Sequence, residues 1–113
     1  MPMRYYLTLP DPEKARMGGE FGFHSHGAAG FAEELQDALR TGGVYQKWLA
    51  TQDEPADVDP ALAATDPDAV VTGTMDDLHV DLQAVTTLSG DVLKHRLRLL
   101  AGPYWQLRDV TAS

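Results

Sequence analysis

Apolar and polar residues alternate from Met3 to Leu9, with Tyr5, Leu7 and Leu9 on one parity and Arg4, Tyr6 and Thr8 on the other. That period of two predicts a strand buried on one face. Pro10-Asp11-Pro12 ends it, since proline brings no N–H to a ladder. Between Ala28 and Arg40 the period becomes helical, with Phe31, Leu35, Ala38 and Leu39 on one stripe and Gly42-Gly43 as the stop. Val44, Trp48 and Leu49 then restart helical spacing, predicting an extra helix over 44–51. Ala69 to Met75 and Leu78 to Thr87 read as two strands joined at Asp76-Asp77. The second of them turns Leu78, Val80, Leu82 and Ala84 inward and His79, Asp81 and Gln83 outward. Ser89 caps a helix from Gly90 to Ala101, with Asp91 in its first turn and Leu93, Leu97 and Leu100 on its stripe beside Val92. Gly102-Pro103 ends that helix, and Tyr104 to Val110 reads as a last strand.

Residues 19–26 put Phe21 and Phe23 on one parity and Glu20, His24 and His26 on the other, which predicts an extra short strand. Without such structure the connection from Leu9 to Ala28 is long for a compact domain. The expected fold class is α+β: a ferredoxin-like (βαββαβ plait) two-layer sandwich, its antiparallel sheet covered by helices on one face. Residues 1–113 are expected to form one α+β domain, with 52–68 as an acidic, proline-containing connector.

The chain has 113 residues, no cysteine and a net charge of −8. Disulfide frameworks and thiolate metal sites are therefore excluded. The balance of charge argues against nucleic acid and against anionic membrane surfaces as partners. No signal peptide is visible at Met1 to Pro10 and no apolar run approaches a membrane span, so a cytoplasmic location is expected. The charge is unevenly spread. Residues 1–47 carry a net −1, residues 48–93 carry ten acids and no Lys or Arg, and residues 94–113 carry a net +3. An acidic stretch of this kind is either a solvated surface or a docking surface for a basic protein partner. The candidate interaction residues are Asp53, Glu54, Asp57, Asp59, Asp66, Asp68, Asp76 and Asp77. Pairing of the acids with the basic final helix would weaken the docking reading.

Candidate chemistry is sparse. No phosphate-binding loop, dinucleotide fingerprint or nucleophile elbow occurs, and no cofactor is implied. On an outward strand face, His79 beside Asp81 forms an oriented general-base pair, because a carboxylate fixes an imidazole tautomer, and Tyr6 shares that face. Glu20, His24 and His26 are candidate metal ligands, since residues two apart in a strand share a face. The run Gly18-x5-His24-x-His26 resembles the opening of the cupin metal motif over nine residues. Cupins place a glutamate four or five positions beyond the second histidine, whereas here the next is Glu33, seven on, and two helices do not suit a cupin barrel. His95, flanked by Lys94, Arg96 and Arg98, is either a phosphate-binding turn or a match to the helix dipole.

The readings rank as follows. The chain is first a small acidic protein-interaction module of adaptor, regulatory or inhibitor/immunity type, with a homodimer as one expected assembly and catalysis not expected. The second is a small-molecule-binding protein or enzyme of the dimeric plait kind, with a pocket near His79 and Asp81. The third is a metal-binding protein acting through His24 and His26.

Overall fold

A computed structural model describes residues 2–17, 21–25 and 27–113. Among these residues four strands form one antiparallel sheet: β1 (Met3–Leu9), β2 (Val70–Asp76), β3 (His79–Thr86) and β4 (Gln106–Ala112). Among the described residues four α-helices accompany them: α1 (Pro12–Ala15), α2 (Ala28–Arg40), α3 (Gly43–Leu49) and α4 (Gly90–Ala101). The architecture is thus α+β. The strand order is β2-β3-β1-β4, so β3 separates β1 from β2 and β1 separates β3 from β4.

Alternation decides which face of the sheet is covered. Tyr5, Leu7 and Leu9 of β1, Val71 of β2, and Val80, Leu82 and Ala84 of β3 are all buried. They meet Phe31, Leu35 and Leu39 of α2 and Val92, Leu93 and Leu97 of α4 in one core. The Tyr5 hydroxyl donates to the Leu88 carbonyl at 3.1 Å, so the polar end of a buried ring is satisfied. Where α2 crosses β2 the backbones nearly touch. A Cβ at Gly73 would lie 2.5 Å from the Ala28 carbonyl oxygen, so only glycine fits.

α4 begins at Ser89, whose side chain accepts the Val92 N–H, and ends at Gly102 with φ of 59°. α2 has no side-chain cap. Instead the Glu34 carboxylate reaches back and accepts the N–H groups of His24 and Ser25 at 3.0–3.2 Å. Those bonds replace the strand expected near 19–26. Among its described residues, 21–25, no strand forms: Phe23 is buried and its N–H donates to the Leu100 carbonyl at 2.9 Å, the end of α4. The pairing partner of this segment is a helix terminus and a helix side chain, so period-two alternation there reflects one buried phenylalanine. The long connection from Leu9 instead contains α1, started by Asp11 and Pro12.

The hairpin between β2 and β3 differs from the expected register by one residue. Asp76 pairs with His79, so the turn is Asp77-Leu78, with Asp77 at φ of 57°. Leu78 is consequently 82 % exposed at the tip, and not an inward strand residue. Among the described residues no helix is long and apolar enough to cross a membrane.

Candidate functional site

Two polar regions deserve comparison: the connector at 52–68 and the hairpin end of the open sheet face. The connector contains two 3-10 turns, Pro55–Asp57 and Pro60–Ala63, the second capped by Asp59 through the Ala61 N–H. Arg96 of α4 is 0 % exposed and holds this segment. Its Nε donates to the Ala38 carbonyl at 3.2 Å, Nη1 to Leu62 at 2.6 Å and Nη2 to Ala64 at 2.9 Å. The Tyr45 ring lies 4.8 Å from the guanidinium carbon. Arg40 adds a 2.6 Å bond to the Ala69 carbonyl. Both cations are thus spent on backbone carbonyls.

Asp66 stands apart from the other connector acids. It is buried, and its carboxylate accepts from the Thr86 hydroxyl at 2.8 Å and from the N–H groups of Thr87 and Asp68 at 2.9 and 3.0 Å. Those bonds, led by the Thr87 N–H, hold its carboxyl below the ordinary range. Asp66 is therefore a structural clamp and not part of a docking surface. Asp53, Glu54, Asp57, Asp59 and Asp68 are exposed. Among the described residues no Lys or Arg approaches an Asp or Glu carboxylate within ion-pair distance, so the acids and the basic helix do not pair.

The open face carries the other parity of the strands. Across its hairpin end, Asp81 of β3 lies opposite Thr8 of β1, and Thr8 lies opposite Gln106 of β4. The Thr8 hydroxyl donates to Asp81 Oδ1 at 2.8 Å, leaving Oδ2 free to face His79. His79 Nε2 is 3.3 Å from Asp81 Oδ2 and 3.9 Å from Asp76 Oδ2. Ligand-capable atoms of all three side chains lie within 4.8 Å of one another. Thr8, His79, Asp81, Gln106 and Arg108 line an open concavity of about 510 Å³.

Sequence reasoning found His79 and Asp81 but missed Asp76 as their neighbour. The signal was present: in a two-residue hairpin, residues three apart face each other across the turn. Tyr6 is on the same face but opposite Gln83, one row away from the Thr8–Asp81 pair. There, hydrogen bonding to Arg4 pulls its hydroxyl below its ordinary pKa. Asp76 ends β2 and Asp77 is the first turn residue; both are exposed, and neither belongs to the 52–68 connector. Of the other metal candidates, Glu20 and His26 lie outside the described residues, and His24 is exposed.

His95 offers no phosphate site. Its ring sits 4.6 Å from Trp48 and 5.8 Å from Tyr45, and its Nδ1 is buried without a partner among the described residues. Burial, reinforced by Arg96 and Arg98, pushes its pKa down. Trp105 is tied to the Gly102 carbonyl through its indole N–H at 2.9 Å, which makes it a packing residue first. Comparison with known protein families, with curated proteins and with solved structures finds no match.

Proposed function

We propose that this chain is a small cytoplasmic interaction module that presents its acidic connector to a basic protein surface, in the manner of a regulatory or inhibitor-type protein. The observation that carries this reading is the combination of a fixed backbone with unpaired charge. Arg96 grips the connector by the Leu62 and Ala64 carbonyls and Arg40 holds the Ala69 carbonyl just beyond it, while Asp53, Glu54, Asp57, Asp59 and Asp68 remain exposed without a cationic partner among the described residues. A held, single-sign surface steers an oppositely charged partner and loses little entropy when it docks. The same reading takes the fold as a ferredoxin-like plait. Taken from its other edge the strand order is β4-β1-β3-β2, and both helix-linked strand pairs are split by an intervening strand, which supports that assignment.

The test uses a lysine-rich peptide as the probe, followed by amide NMR of the full chain. Shifts confined to residues 53–68, weakening steeply between about 0.05 and 0.5 M NaCl, are expected. Shifts spread over every acid, or an affinity indifferent to salt, would refute the docking reading. A second reading rests on the concavity beside Thr8, His79, Asp81, Gln106 and Arg108. There a small polar ligand, or the facing sheet of a second copy, would occupy the open face of the plait.

A further inference from the structure

We infer that the hairpin end binds a divalent transition-metal ion of the zinc class through His79 Nε2, Asp81 Oδ2 and Asp76 Oδ2. Three electron-pair donors converge here from two strands that a two-residue turn locks in register. Nε2 is in ion-pair range of both carboxylates, 3.3 Å from Asp81 Oδ2 and 3.9 Å from Asp76 Oδ2. Donors of these types, gathered at this distance, form a set that a divalent cation can bridge.

The spacing suits a metal. Ligand atoms about 2.1 Å from a zinc-class ion lie about 3.0–3.4 Å apart at octahedral to tetrahedral angles. The 3.3 Å separation of His79 Nε2 from Asp81 Oδ2 is already inside that range. The 3.9 Å separation from Asp76 closes by a small rotation of a side chain that is 72 % exposed. Asp81 is preset for the task, because Thr8 occupies its Oδ1 and so aims Oδ2. A hydroxyl bonded to the outer oxygen of a ligating carboxylate is the usual supporting contact.

One imidazole and two carboxylates select zinc, manganese or ferrous iron over calcium, which prefers an all-oxygen shell of six or more ligands. Three protein ligands leave the remaining positions to water, and they open toward the concavity that Gln106 and Arg108 line. An anion bound there would meet the metal on one side and the Arg108 guanidinium on the other. The hairpin end would hold the ion whether or not the connector docks a partner.

The experiment is a zinc chloride titration of the full chain, followed by the side-chain nitrogen resonances of each histidine. The expected result is a saturable change at His79 Nε2 complete near one equivalent. Asp81→Asn and Asp76→Asn should each weaken binding by at least about 10-fold, and Thr8→Val by about 10-fold without loss of fold. All but Thr8 are surface positions, and circular dichroism checks that each variant folds. Zinc that perturbs His24 or His26 while His79 stays silent would overturn the proposal. So would an absence of any binding up to about 1 mM, or full affinity in Asp81→Asn.

Discussion

The two polar clusters of this chain are built from similar residues and do opposite things. Around Arg96 and Asp66, every nitrogen and oxygen of the charged group has a hydrogen-bond partner, and most of those partners are backbone atoms. At the hairpin, exposed Asp76 faces the half-buried His79 and Asp81, and among the described residues only Asp81 Oδ1 of these side chains is hydrogen-bonded, to Thr8. A charge whose partners are backbone groups is committed to the fold, because no external ligand can take those groups over. Side chains that face each other with their lone pairs unspent have their interaction energy still available for a ligand. The difference predicts that substitutions in the first cluster change stability, and those in the second change binding.

The largest effect should follow Arg96→Met. Methionine fills much of the volume but returns nothing to the carbonyls of Ala38, Leu62 and Ala64. Each carbonyl left buried without a donor costs about 1–3 kcal/mol, so a total loss of about 3 kcal/mol is expected. Urea unfolding monitored by circular dichroism measures it. A loss under about 1 kcal/mol would mean that water replaces the guanidinium freely, and the two clusters would then not differ in kind.

The sequence made the covered half of the molecule readable and left the polar half mostly hidden. β1, α2 and α4 have the boundaries that period and caps predict, because each buries a continuous apolar stripe against one core. The segment near 19–26 did not follow its alternation, since its partners, Glu34 and the Leu100 carbonyl, lie in elements distant along the chain. By its neighbours in sequence Arg96 belongs to a basic, dipole-matching turn, and nothing in a sequence marks an arginine that will be buried by carbonyls 32 and 34 residues earlier. The hairpin cluster was hidden by a single residue of register. Placing the turn at Asp76-Asp77 puts Asp76 in the loop, whereas the turn at Asp77-Leu78 sets it beside His79.

A smaller effect, separable by pH, comes from Asp66 and His95. Asp66 has a carboxyl pKa held down in the folded state, so its contribution is full above its ordinary value of 3.8 and is lost as pH falls through the folded value. His95 has its pKa held down by burial, so the folded state favours the neutral ring. The unfolded chain then binds more protons just below the ordinary value of 6.5, and stability falls as pH drops through that window. Two losses are therefore expected on acidification, one below about pH 6.5 from His95 and one below about pH 4 from Asp66. His95→Gln should flatten the first and leave the second. Asp66→Asn should cost about 1–2 kcal/mol at neutral pH and flatten the second. Urea midpoints measured between these values test both. A single acid transition unchanged in either variant would place the titrating groups elsewhere.

The smallest stability change should be that of His79→Ala, and its smallness sharpens the contrast most. His79 is not a member of the core cluster, and its side chain and the two carboxylates it faces all keep substantial exposure. Removing the imidazole leaves Asp76 and Asp81 as like charges, but solvent screens them and Asp76 is free to swing away. Unfolding free energy should therefore stay within about 0.5 kcal/mol of the parent. In the presence of zinc the two proteins should separate. The parent gains stability as RT ln(1 + [Zn]/Kd), while the variant gains little, since a ligand stabilises only the state that binds it. Thermal unfolding with and without zinc reads this directly. A variant that is strongly destabilised without metal would show that His79 belongs, like Arg96, to the fold, and the division between a committed and an available cluster would fall.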